Sequence, residues 1–165
     1  MTVTEAVQDD YRITKDTMAL LPSYQDGSRT LVYETTKRIY VNQTSKEIVN
    51  NGCLEGFSSY DGRRMAAIYQ TGKNYNVPIA INPYKNIFAF PTNSPSNYDC
   101  IWLFYHHIQD ISSAKNNPKH SIVTMSDNAH ILVPVSSFTL KKKMYLTSHC
   151  VLCCQQIWDN NKEAK

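Results

Sequence analysis

Apolar and polar residues alternate with period two in several short runs of this 165-residue chain and recur at helical spacing in others. Thr30 to Glu34 and Arg38 to Asn42 interleave β-branched or aromatic residues with polar ones around Thr35-Thr36-Lys37, a hairpin pattern. Met18 to Leu21 reads as a short strand ending at Pro22. Val77 to Ile81 and Ile87 to Phe90 flank Asn82-Pro83-Tyr84-Lys85-Asn86, where proline pre-sets one turn dihedral and the asparagines tolerate unusual ones. Ser121 to Met125 and His130 to Val135 frame a third hairpin around Ser126-Asp127-Asn128-Ala129. Cys100 to Ile108 is aromatic and apolar without strict alternation, as a strand buried on both faces would be.

Helical signals are fewer. Ser45 to Leu54 suits a short helix capped by Ser45, although its Asn50-Asn51-Gly52 ending also suits a loop. Ser58 or Ser59 caps a helix running to about Thr71 and stopped by Gly72, with Asp61 in the first turn where its charge favours the helix dipole. On a 100° wheel Met65, Ile68 and Tyr69 share one face, which the pattern assigns to the core. Tyr60, Arg63, Ala67 and Gln70 fall opposite, and Arg64 lies on the flank. A last helix spans Phe138 to Trp158 behind Ser136 or Ser137, with Leu140, Met144, Thr147, Val151, Cys154 and Trp158 on one stripe that packs on the sheet. Residues 1 to 17 are polar and without periodicity, and read as a loosely held arm; Asp159 to Lys165 reads as a frayed tail. The expected fold is α+β: one domain over 18–158, mainly antiparallel hairpins, with a short central helix (about 59–71) and a longer C-terminal helix (about 138–158).

A chain of this length can bury roughly 70% of the surface its unfolded form exposes, so it needs no disulfide or metal staple. Five cysteines, an odd number, and the absence of a charged-then-apolar leader point to a reduced, cytoplasmic protein, nucleoid-associated if it binds DNA. The longest apolar runs are far short of the 18 or so residues of a membrane span, and no membrane partner is expected. The formal charge is +3. The isoelectric point near 8.5 permits a nucleic-acid partner but does not by itself point to one. Any basic surface must therefore be local.

Two clusters supply it. Arg63 and Arg64 lie in the first turn of the central helix, where a positive charge opposes the dipole by a few tenths of a kcal/mol unless an anion offsets it. A phosphate would do so, since helix N–H groups and arginine forks converge there. Lys141-Lys142-Lys143 opens the last helix, but three consecutive residues fan over about 200°, so at most two reach one partner. Cys150-x-x-Cys153-Cys154 with His149 is half a zinc set, and packed cysteines are the expected reading. His106, His107, His120, His130 and His149 accompany no nucleophile-elbow, zincin or paired-carboxylate pattern. Trp102 reads as core, with His107 a satisfied polar group beside it. No enzyme, catalytic residue, metal or cofactor is expected.

The block Gly56-Phe-Ser-Ser-Tyr-Asp-Gly-Arg-Arg64, followed by Ile87-Phe-Ala-Phe-Pro-Thr92 and Cys100-Ile-Trp102 to His107, resembles the ComK competence transcription factors of low-GC Gram-positive bacteria. The likeness is clearest from about Ile48 to Ser136. It implies a DNA-binding activator of DNA-uptake genes that recognises paired A/T-tract boxes, largely through the minor groove, as a homodimer or dimer of dimers with an RNA polymerase contact. The alternative is a ComK-like interaction module that does not bind DNA and pairs with an active homologue. Arg63 and Arg64 are the expected central contacts, with Tyr60, Gln70, Lys73, Lys85, Lys141 and Lys142 as further candidates. Longer family members carry a basic and aromatic tail that includes the segment bound by the Clp-protease adaptor. This chain ends at Lys165 with nothing similar, which puts adaptor binding in doubt.

Overall fold

A computed structural model describes residues 2–164. Seven strands form one sheet: β1 (Thr2–Gln8), β2 (Thr17–Pro22), β3 (Thr30–Glu34), β4 (Lys37–Val41), β5 (Ile79–Asn82), β6 (Ile87–Pro91) and β7 (Trp102–Phe104). Their order is β1-β4-β3-β2-β7-β6-β5, antiparallel except where β1 runs parallel to β4. A second sheet, ordered β10-β9-β8, comprises β8 (Ile108–Ala114), β9 (Asn117–Met125) and β10 (His130–Val133). Three helices complete the domain: α1 (Ser45–Glu55), α2 (Tyr60–Thr71) and α3 (Ser137–Glu163). The α+β class and the C-terminal helix agree with the sequence pattern.

The layering follows from strand alternation. Trp102 and Phe104 of β7 point to one face of the large sheet, where Leu20, Ile79 and Ile81 join residues of α1 and α2 such as Ile48, Val49 and Ala67. Leu103 and the preceding Ile101 point to the other face, against Val123, Met125, Ile131 and Val133 of the small sheet. Fully burying each of these large side chains contributes about 2–3 kcal/mol, and β7 is fully buried. Helix α3 joins both layers: Leu140 near its start belongs to the core between the sheets, whereas Cys150 belongs to the core under α1 and α2.

An ion pair fastens the second sheet to the first. Arg38 of β4 donates from Nη2 to Asp127 Oδ2 in the β9–β10 turn at 2.8 Å, and both side chains are buried. Its Nη1 donates to the Glu34 carbonyl at 2.7 Å, and the guanidinium lies 3.8 Å from the centroid of the Tyr33 ring. Burial alone would raise the Asp127 carboxyl, but the Arg38 hydrogen bond and charge outweigh it and hold the group below the usual aspartate range.

Four expectations change. Residues 1–17 are no loose arm: Thr2–Gln8 pairs with β4, Tyr11 and Ile13 enter the core, and the Tyr11 hydroxyl donates to Glu34 Oε1 at 2.6 Å. The strand expected over Cys100 to Ile108 is only three residues long, because a 3-10 turn at Tyr105–His107 redirects the chain into β8 and the other sheet. His107 is satisfied in that turn by the Lys15 carbonyl and Ser126 Oγ. The tail from Asp159 continues α3 as far as Glu163. The cap of α1 is Thr44 rather than Ser45, in a capping box with Glu47.

Asp127→Asn is expected to cost about 1.5–3 kcal/mol in denaturant unfolding at pH 7, since it replaces the charge-assisted bond between Arg38 and Asp127 with a neutral one. Because the folded carboxyl titrates below its unfolded value near 4, the pair's contribution is complete above about pH 4. It is lost as pH falls through the folded value. The stability gap between wild type and Asp127→Asn should therefore shrink in acid, which urea titrations at pH 7 and pH 3 would measure.

Candidate nucleic-acid interface

Helix α2 is set by the chain immediately before it. Gly56 ends α1 against β5: a Cβ there would lie 2.8 Å from the Ile81 carbonyl oxygen, so only glycine permits the approach. The next residue, Phe57, adopts a left-handed conformation (φ 61°). Its N–H donates to the Leu54 carbonyl and that of Ser58 to the Cys53 carbonyl, the paired bonds of a Schellman turn. Ser59 then caps α2, accepting from the Gly62 N–H at 2.9 Å, and Gly72 (φ 67°) ends it.

The helix is turned the other way from the wheel expectation. Tyr60 and Ala67 are buried, and Ile68 packs against the core, while Met65 and Tyr69 stand in solvent. Tyr60 meets Trp102 edge-on, with ring centroids 6.3 Å apart, and burial raises its phenol above the ordinary tyrosine range. Arg63 also turns inward: Nη2 donates to the Gly56 carbonyl at 2.5 Å and Nε is enclosed without a partner. The cation therefore sits at the C-terminal end of α1, where a helix dipole favours positive charge.

Arg64 remains facing outward, and it meets other cations across the loop that follows α2. Its Nη2 donates to the Asn74 carbonyl at 3.4 Å, and from the other side Lys143 Nζ of α3 donates to the Asn76 carbonyl at 3.3 Å. The loop from Lys73 to Asn76 is thus strapped between α2 and α3. Asn76 takes a left-handed conformation there (φ 46°), which asparagine tolerates. Lys73, Lys142 and Lys143 line one flank of the loop in a groove of about 560 Å³, together with exposed Tyr75 and Tyr145. Lys46 and Arg64 line the other flank, next to Ser94 and Ser96. Among the described residues lining these two flanks, five cations face one carboxylate, Asp61. Lys143 is half-buried, and desolvation lowers its ammonium below the ordinary lysine range. An ammonium has three donors and a guanidinium five, so both straps keep hydrogen-bonding capacity for an anion.

The other candidates divide. Gln70 is exposed, and its carbonyl accepts from His149 Nε2 at 3.2 Å. Lys141 is exposed but lines neither flank. Lys85 follows Pro83 in the 3-10 turn between β5 and β6, at the end of β5 opposite the Lys73–Asn76 loop. There it shares a pocket with Lys15, His106 and His107. Desolvation and then His107 lower the His106 imidazole. Sequence reasoning missed Lys46, whose ammonium lies 5.4 Å from the Tyr60 ring centroid, and passed over Lys143, whose placement follows from the α3–loop contact. All five cysteines are free thiols, and among the described residues no three His, Cys, Asp or Glu side chains gather to hold a metal. No helix among the described residues is long and apolar enough to cross a membrane.

The family profile described as ComK protein matches residues 8–157. A curated relative, the competence transcription factor of Bacillus subtilis (strain 168), is 28% identical over 146 residues, which cover 88% of this chain and 75% of the relative. No solved structure matches significantly.

Phe57 holds a left-handed backbone at 95% exposure. Phe57→Gly is expected to stabilise the fold by about 1 kcal/mol in denaturant unfolding, because glycine takes the conformation without the Cβ clash.

Proposed function

The chain belongs to the ComK family, and on that premise we propose that it is a DNA-binding transcriptional activator of competence genes. The observation that carries the proposed interface is the convergence of Lys46, Arg64, Lys73, Lys142 and Lys143 on one loop, with a single carboxylate among them. In this reading the Lys73–Asn76 loop enters the minor groove of A/T-rich boxes, where narrow A-tracts concentrate negative potential and attract basic side chains. Asn74 and Asn76 suit the acceptor-rich floor of that groove. Lys142 and Lys46 contact phosphates on either side, and Arg64 lies between the loop and one strand.

Arg63 and Tyr60 serve this interface indirectly, by holding α2 on α1 and on Trp102. The net charge is only +3, and in this reading each protomer makes a few phosphate contacts. Pairing into dimers on paired boxes would multiply them through effective concentration.

Fluorescence-anisotropy titrations of an A/T-box duplex and a scrambled duplex, at two salt concentrations, test the reading. Arg64→Ala/Lys73→Ala/Lys142→Ala should lose at least about 100-fold in affinity, with the salt slope falling by roughly 0.9 for each phosphate contact removed. Lys85→Ala should stay within about twofold of wild type, since losing a phosphate contact would cost more. Full affinity in the folded triple variant would contradict the assignment.

A further inference from the structure

A second concavity lies between α2 and α3, on the other side of α2 from Arg64. It is a cleft of about 230 Å³ whose walls are kept open by small or rigid residues, including Ala66, Ala67, Ala80, Pro78 and Pro83. Cys150, Cys153 and Cys154 of α3 line one side, and Tyr84 and Trp158 close one end as a stacked pair with centroids 5.5 Å apart. Burial pushes the Cys150 thiol up to about 12 and raises Cys154 as well, so these two present uncharged sulfur.

Arg63 is the charged residue of this apolar wall. One nitrogen reaches the Gly56 carbonyl, Nε is enclosed without a partner, and the side chain makes no ion pair among the described residues. No described residue lining the cleft carries a carboxylate. The part-buried guanidinium, with Nε enclosed and unpartnered, keeps donors for an anion, and a carboxylate is the anion whose two oxygens match its fork. Duplex DNA does not suit the place, since a phosphate backbone has no apolar body to fill a cleft walled by alanine, proline and thiols.

We propose that this cleft binds a small monocarboxylate with an apolar body, the carboxylate on Arg63 and the hydrocarbon or ring against Ala66, Ala80 and the α3 cysteines. Its volume is below the usual range for organic-ligand pockets and suits a ligand of about ten non-hydrogen atoms. Affinity for so small a molecule belongs between about 10 µM and about 10 mM.

Trp158 supplies the readout, because it lines the cleft while Trp102 is fully buried and gives a constant background. The intact chain is titrated with sodium octanoate, n-octanol and sodium phosphate at fixed ionic strength while tryptophan emission is recorded. Octanoate should give a saturable change, whereas octanol and phosphate should bind at least about tenfold more weakly. Arg63→Met should weaken octanoate at least about tenfold. Ala66→Phe, at an exposed position on the wall, should abolish the response by filling the cleft. No saturable response of the wild type to octanoate up to about 50 mM would overturn the proposal. So would octanol or phosphate binding as well as octanoate, or a folded Ala66→Phe that keeps wild-type affinity. Should Arg63→Met not fold, Ala66→Phe and the three ligands decide the matter.

Discussion

Strand β7 is buried on both faces, and the layers on either side of it follow from that. Because Trp102 and Phe104 face one layer while Ile101 and Leu103 face the other, two separate hydrophobic cores must be closed, one on each side of a single sheet. Helices α1 and α2 close the first and the small sheet closes the second. Helix α3 contributes to both, with Leu140 in one core and Cys150 in the other. The Arg38–Asp127 pair then fixes where the small sheet sits, by joining the turn of one hairpin to a strand of the other layer.

The basic groove is a product of that packing. Tyr60 leans on Trp102 and Arg63 on the end of α1, so the orientation of α2 about its own axis is decided from beneath. With those two residues turned inward, Arg64 turns outward to the Lys73–Asn76 loop, and α3 brings Lys142 and Lys143 to its other flank. Adjacent arginines thus take different tasks. Arg64 faces the proposed DNA site, while Arg63 holds α2 to α1 and faces the cleft proposed for a carboxylate.

Local chemistry was legible in the sequence and long-range packing was not. The Ser59 cap, the Gly72 stop and the Pro83 turn depend on residues within a few positions of one another, and each falls where the pattern placed it. The inverted face of α2 has a definite cause. A helical wheel weighs Met65 and Tyr69 as apolar and Arg63 as polar, but it cannot see that the Gly56 carbonyl and Trp102 lie on the arginine side. Strand β8 escaped notice because Gln109, Asp110, Ser112 and Ser113 are exposed and only Ile111 is fully buried in the core between the sheets. The parallel pairing of β1 with β4 joins residues more than thirty positions apart, beyond any periodicity. Of the candidate site, Arg64 and Lys73 lie in the family-like block and Lys142 in the lysine cluster, but Lys46, Lys143 and the division of the basic residues between groove, core and the far end of β5 required the fold.

The proposed interface places DNA across the loop between α2 and α3. Amide hydrogen exchange with and without an A/T-box duplex tests it most directly. Bound DNA should slow exchange at residues 73–77 and in the first turns of α3, and leave residues 84–86 and 105–107 unchanged. Protection centred on those latter residues, around Lys85 and His106, with none at 73–77, would contradict it.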